Sequence, residues 1–139
     1  MLIRSVSLFD TTGWCWPHFS PRELACKCGG RFCDGEYWHD PSFLDALEAL
    51  RRRVGRPLMV NSGHRCAGWN AEIGGAPQSR HLEIAVDISL IGHDRFILLA
   101  AAEQLGFTGI GLGRNFLHLD RRLQPARWYY KRSRSSWRN

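Results

Sequence analysis

The stretch Gly109-Ile-Gly-Leu-Gly-Arg-Asn-Phe-Leu-His-Leu-Asp120 decides the fold. Its two halves read as strands, and Arg114-Asn115 reads as the turn of a hairpin between them. Working outward, Asp94 to Gln104 reads as a helix closed by Gly106, and Ile84-Ala-Val-Asp-Ile88 as a strand before it. Residues 62–80 are rich in Gly, Ser, Asn and Pro and read as a long loop, which in a small domain is usually functional. Pro57-Leu-Met-Val-Asn61 reads as a buried strand. Asp40-Pro41 caps a helix in which Phe43, Leu44, Leu47, Leu50 and Val54 keep the three-four spacing. Arg51, Arg52 and Arg53 suit its C-terminal end and Gly55 stops it. Ser20-Pro21-Arg22-Glu23 starts a shorter helix with a capping pair, and Cys28-Gly29-Gly30 ends it. Helices and strands mix without strict alternation, so the expected fold is α+β: one compact domain, a small antiparallel sheet with flanking helices.

A chain of 139 residues has room for one such domain. Residues 1–18 read as an irregular lead-in anchored by Trp14 and Trp16, residues 19–130 as the domain, and residues 131–139 as a basic, flexible tail. With 44% hydrophobic and 23% charged residues the chain is neither disordered nor collagenous. The longest apolar run, Phe96 to Ala102, is too short to span a membrane. Met1 to Asp10 carries one Arg and no long apolar core, unlike a secretory signal. The net charge of +6 belongs to the tail. Residues 121–139 hold seven basic residues and no acid, leaving 12 − 13 = −1 for residues 1–120. That distribution argues against a nucleic-acid-binding domain, although Trp128, Tyr129, Tyr130 and Trp137 among Arg and Lys would suit stacking on sugars or bases. The plainer reading has Trp128 and Tyr129 covering the end of the hairpin.

Three segments concentrate polar residues beside the strands: Ser62-Gly-His-Arg65, Ser79-Arg-His-Leu-Glu-Ile-Ala-Val-Asp87 and His118-Leu-Asp120. Across these segments, two imidazoles and a carboxylate would make a chemically sensible zinc set with a fourth position for water. His118 and Asp120 are two apart on a strand and share a face. Asp120 is thereby placed either to bond the water on the metal or to orient a neighbouring ligand.

These segments, with Gly74-Gly-Ala-Pro-Gln-Ser79 and Phe116-Leu-His118, resemble the zinc D-Ala-D-Ala carboxypeptidases, a family of peptidoglycan peptidases with relatives among phage endolysins. Phe19-Ser-Pro-Arg-Glu-Leu24 and Pro41-Ser-Phe-Leu-Asp-Ala-Leu47 look like its small phage-type branch. The resemblance covers roughly residues 17–128. It implies a hedgehog/DD-peptidase-like fold, and Zn2+ held by His81, Asp87 and His118. It gives Arg65 the role of binding the substrate's C-terminal carboxylate or steadying the scissile carbonyl, and Ser79 that of bonding substrate. Asp120 is the candidate acid/base; other branches place theirs just before the last ligand, where this chain departs from them with Asn115, Phe116 and Leu117. The implied partner is a peptidoglycan stem peptide and the implied state a monomer. The protein would be made in the cytoplasm and reach the cell wall on release or delivery, in the manner of a phage or prophage enzyme.

The chain departs from the family motif S-x-H-x-x-G-x-A-x-D: no Gly stands between Glu83 and Ile84, so His81 and Asp87 are one residue closer in sequence. Six steps of extended chain would separate them by roughly 20 Å. They meet only if residues 82–84 form a tight, irregular connection, and weakened zinc binding is the expected cost, with Glu83 as a substitute ligand. The alternative function is therefore an impaired family member that docks on peptidoglycan without cutting it.

Five cysteines, Cys15, Cys26, Cys28, Cys33 and Cys66, cannot all pair internally and are expected reduced. Cys26, Cys28 and Cys33, with His39 or Cys15 as a fourth member, are candidates for a second, structural metal site. Cys66 reads as a packed small residue.

Overall fold

A computed structural model describes residues 1–138. Along the chain run β1 (Leu2–Ile3), α1 (Pro21–Leu24), β2 (Tyr37–Trp38), α2 (Pro41–Val54), β3 (Val60–Ser62) and α3 (Ala67–Glu72). Then follow β4 (Val86–Ser89), α4 (Arg95–Gln104), β5 (Gly109–Leu112), β6 (Phe116–Asp120) and β7 (Ala126–Tyr129). The fold is mixed α+β, as the sequence indicates.

The helix ends follow local chemistry. Asp40 accepts a hydrogen bond from the Phe43 N–H at 3.1 Å and Gly55 closes α2 in the left-handed conformation. Ser20 and Glu23 exchange the two bonds of a capping box around α1. On α2, Phe43, Leu44, Leu47 and Leu50 are almost wholly buried. Burying one such side chain stabilises by about 1.5–3 kcal/mol, so this face rather than helix propensity holds α2 in place.

β1 and β2 form a small antiparallel ribbon, and the main sheet has the order β3-β4-β6-β5-β7. All its pairs are antiparallel except β5 with β7, which is parallel. Alternation splits this sheet into two chemistries. Val86 and Ile88 of β4 and Leu117 and Leu119 of β6 join the core with Leu44, Leu47, Leu98 and Ala102 from α2 and α4. Asp87, His118 and Asp120 stand on the other face.

Four local expectations are corrected. The lead-in holds β1, paired to β2 by Leu2 opposite Trp38 and Ile3 opposite Tyr37. The long loop contains α3, whose six residues carry a Gly and no apolar periodicity. Trp128 and Tyr129 do more than cover the hairpin, because they form β7. The tail is packed through residue 137: Trp137 is buried and its indole N–H donates to the Gly113 carbonyl at 2.7 Å. An aromatic of that size outweighs the surrounding charges.

Candidate metal centre

The β4/β6 register sets Asp87 directly opposite His118. His81 reaches them from a single 3-10 turn, Arg80–Leu82, where the Ser79 hydroxyl accepts the His81 backbone N–H at 3.2 Å. The chain leaves this turn through Glu83, and no residue from 79 to 87 has a positive φ. A 3-10 turn thus reverses the chain without the left-handed conformation that a glycine would supply, and the six-residue spacing closes.

Three donor atoms meet there. His81 Nε2 lies 3.2 Å from Asp87 Oδ1, His118 Nδ1 lies 3.2 Å from the same oxygen, and the two nitrogens are 3.2 Å apart. Tetrahedral ligands at zinc distances of about 2.0–2.1 Å have edges of about 3.3 Å, so the triangle has the size of one face around a single zinc ion.

The outer contacts fix where the lone pairs point. His81 Nδ1 donates to the Gly63 carbonyl at 2.6 Å, and His118 Nε2 donates to Asp120 Oδ2 at 2.7 Å. Each imidazole therefore carries its proton on the outer nitrogen and turns an unprotonated nitrogen inward when neutral. Two lone pairs and a carboxylate oxygen aimed at one point repel unless a cation stands between them. The electrostatics of the site make the same demand for positive charge. Burial disfavours charge on Asp87, yet its contacts with His118 and His81 hold its carboxyl well below the usual range. Burial likewise opposes a charged His118, but Asp120 and Asp87 raise its pKa. A proton and a metal ion compete for one site of this kind. The donor set fits zinc.

Arg65 joins at the rim. Its Nε donates to Ser62 Oγ at 3.1 Å, one terminal nitrogen to Asn70 Oδ1 at 3.3 Å and the other to Asp87 Oδ2 at 3.3 Å. Three of its five N–H donors are used, and the remaining two are available to a cleft of about 460 Å³ that Arg65 lines with Ser79, Arg80, His81, Asp87, His118 and Arg122.

Asp120 is not in that cleft. It is 1% exposed, and both oxygens are occupied: Oδ1 by the Arg122 backbone N–H and Nε at 3.0 and 2.9 Å, Oδ2 by Arg122 at 2.6 Å and by His118. Burial raises its pKa, but Arg122 and His118 outweigh burial and keep it ionised. Its geometry suits orienting His118, the second of the two roles its spacing allowed. Glu83 does not substitute as a ligand, because its half-exposed side chain faces Arg80 at 3.8 Å.

Arg122, Trp128 and Tyr130 are not placed at this centre by the sequence reading, although it marks the two aromatics as suited to stacking. Arg122 reads as part of a basic tail, yet it clamps Asp120 and lies over the Trp128 ring at 4.7 Å. Trp128 and Tyr130 line the cleft, with Trp128 5.1 Å from the His118 ring and Tyr130 4.8 Å from Phe116. Burial raises the Tyr130 phenol above its ordinary range, so it stays an O–H donor. A signal for these residues is Gly109-x-Gly111-x-Gly113. A strand with Gly at every second position is bare on one face, which something else must cover. A Cβ on Gly111 would lie 2.6 Å from Tyr130 and 2.8 Å from Trp128, and one on Gly109 would overlap the Asp120 carboxylate.

A buried two-His, one-Asp donor set open to a cleft has the chemistry of a mononuclear zinc site with an open position. The Peptidase M15 family profile matches residues 17–120, which include His81, Asp87 and His118, and the chain belongs to this family of zinc D-Ala-D-Ala carboxypeptidases. No curated protein matches the chain. No helix is long and apolar enough among the described residues to cross a membrane.

Proposed function

We propose that the chain hydrolyses an amide bond in peptidoglycan stem peptides, with His81, Asp87 and His118 as zinc ligands. The observation that carries this reading is the 3.2 Å triangle of inward-facing donors beside a guanidinium with free N–H groups. Bound zinc supplies Lewis acidity to a water and to the substrate carbonyl. Arg65 anchors the free C-terminal carboxylate in a bidentate pair. Arg80 and Arg122 also line the cleft, while Asp87 is the only carboxylate that does so among the described residues. That balance favours an anionic peptide end, and hence release of the terminal D-Ala over cutting within a cross-link. Ser79 offers a hydroxyl to the substrate backbone from the cleft wall. Asp120 is a positioning residue that holds the His118 tautomer, and Arg122 holds Asp120.

The complete triangle also supports hydrolysis over mere docking on the wall, since the shortened motif was the ground for the docking reading. Digesting purified peptidoglycan and a soluble pentapeptide, with mass analysis of the products, tests the proposal. Loss of one D-Ala from the pentapeptide by the wild type, and none by His118→Ala, is the expected result. Cleavage only inside intact cross-linked wall would make the enzyme an endopeptidase. Binding without products would overturn hydrolysis.

A further inference from the structure

Cys26, Cys28, Cys33 and Cys66 gather at one point, at the Cys66 end of the residue 63–66 segment. Their sulfurs all lie within 4.8 Å of one another, and Cys28 and Cys33 Sγ are 3.5 Å apart. None is in a disulfide. The fourth member is Cys66, not His39 or Cys15. The His39 imidazole meets the Tyr37 hydroxyl at 2.9 Å among aromatic rings, and Cys15 is exposed.

We propose that these four cysteines form a closed, structural zinc centre, separate from the His/Asp/His site. A tetrathiolate with zinc–sulfur bonds of about 2.3 Å has sulfur–sulfur edges of about 3.8 Å, the scale of this cluster, whereas a disulfide needs about 2.05 Å. Three of the sulfurs accept backbone N–H groups: Cys26 from Cys66 at 3.4 Å, Cys33 from Glu36 at 3.4 Å and Cys66 from Trp69 at 3.5 Å. Neutral thiols are weak acceptors, so three amides aimed at sulfur suit thiolates, which a buried site tolerates only around a cation. Cys26, Cys28 and Cys66 are buried, which leaves no open coordination position for substrate.

The sequence around the cluster explains what such a centre would hold. Residues 25–36, between α1 and β2, form neither helix nor strand. A segment of this kind has few internal bonds, and a metal staple supplies the missing constraint. The other end of the staple is Cys66, the N-cap of α3 and the neighbour of Arg65. The Arg65 backbone N–H donates to the His81 carbonyl at 2.6 Å, and the Gly63 carbonyl takes the His81 ring proton. A zinc ion on the cysteines would therefore clamp the strip that carries the substrate-facing guanidinium and orients one catalytic ligand.

Metal analysis of the full chain, purified under reducing conditions, tests this independently of the peptidase reading. The wild type is expected to hold two zinc ions, and His118→Ala one. Cobalt substituted into His118→Ala should give the intense near-ultraviolet thiolate-to-cobalt bands and strong visible bands of a tetrahedral sulfur site. Cys66→Ala should lose those bands. If that variant does not fold, Cys33→Ser, at the least buried of the four, gives the same reading through a weakened, blue-shifted spectrum. A catalytic reading that fails alone would leave the zinc count of wild type and His118→Ala equal, with the sulfur–cobalt bands present in both. Absence of sulfur–cobalt bands in the wild type, or an intact mass two hydrogens short for a Cys28–Cys33 disulfide in the freshly purified protein, would overturn the tetrathiolate.

Discussion

Replacing Asp120 by Asn separates positioning from proton transfer. The two side chains have nearly the same volume, so the packing against Gly109 survives. What changes is one acceptor. Asp120 Oδ1 takes two Arg122 donors, and Oδ2 takes one Arg122 donor and the His118 Nε2 proton. Asn keeps its oxygen where two donors converge and presents its NH2 to His118. The imidazole must then accept, which moves its proton to Nδ1, the atom that lies 3.2 Å from both His81 Nε2 and Asp87 Oδ1. A protonated Nδ1 cannot bind metal. Loss of an outer partner of this kind weakens metal binding by about 10–100-fold, which is about 1.4–2.8 kcal/mol. The Asn NH2 also faces the Arg122 donor that Oδ2 accepted, so two bonds are lost; the charge-assisted bond to His118 alone is worth about 1.5–3 kcal/mol, so the two scales agree for the metal. The assay is zinc titration of the metal-free protein against a competing chelator, with circular dichroism to check folding and turnover measured at saturating zinc. The expected outcome is weaker zinc with most turnover recovered once the site is filled. Unchanged zinc affinity with turnover abolished would refute the reasoning and return Asp120 to the acid/base role.

Arg65→Lys should lower kcat/KM on a free-carboxylate stem peptide by about tenfold or more, roughly 1.4 kcal/mol, because one ammonium cannot bond Ser62, Asn70, Asp87 and substrate together; steady-state kinetics showing wild-type values would remove Arg65 from the site. Inserting Gly between Glu83 and Ile84 should not tighten zinc binding, since the shorter connection already closes the 3.2 Å triangle; tighter binding in the same chelator titration would show that the native connection is compromised. Glu48→Gln should destabilise the fold near neutral pH. Burial opposes ionising Glu48, but bonds from the His18 backbone and ring and from Arg52 hold its pKa below the ordinary value. A depressed folded pKa contributes stability that is present above the unfolded value and lost as pH falls through the folded one. The gap between the two proteins in urea unfolding should therefore narrow on acidification, and a gap that widens would contradict the assignment.

Much of this protein is legible in its sequence where one local rule dominates. Asp40-Pro41 and Gly55 bracket α2 because caps act within a turn. The hairpin of β5 and β6 is legible because its strands are consecutive. His81, Asp87 and His118 are nameable only through motif resemblance, because their meeting depends on the β4/β6 register and on a turn between residues 80 and 82. The parallel pairing of β5 with β7 and the burial of Trp137 are tertiary outcomes that no local signal announces. Cys66 is hidden for the same reason: its partners lie 33 to 40 residues earlier in the chain.

In the shortened motif, tertiary contacts take over a task that a local reading gives to glycine. A glycine matters where the backbone must enter the left-handed region, and residues 79–87 never do. Closure instead comes from the hydroxyl of Ser79, which caps the 3-10 turn, and from the carbonyl of Gly63, which takes the ring proton of His81. The second contact is possible because Gly63 lies hard against Leu24, where a Cβ would come 2.5 Å from the Leu24 carbonyl oxygen. The same backing receives the His64 N–H at 2.9 Å. The position of His81 is therefore set less by the number of residues to Asp87 than by the strip from Gly63 to Cys66, packed on α1 at one end and on the cysteine cluster at the other. The length of the His81–Asp87 connection is free to vary as long as that strip stays in place.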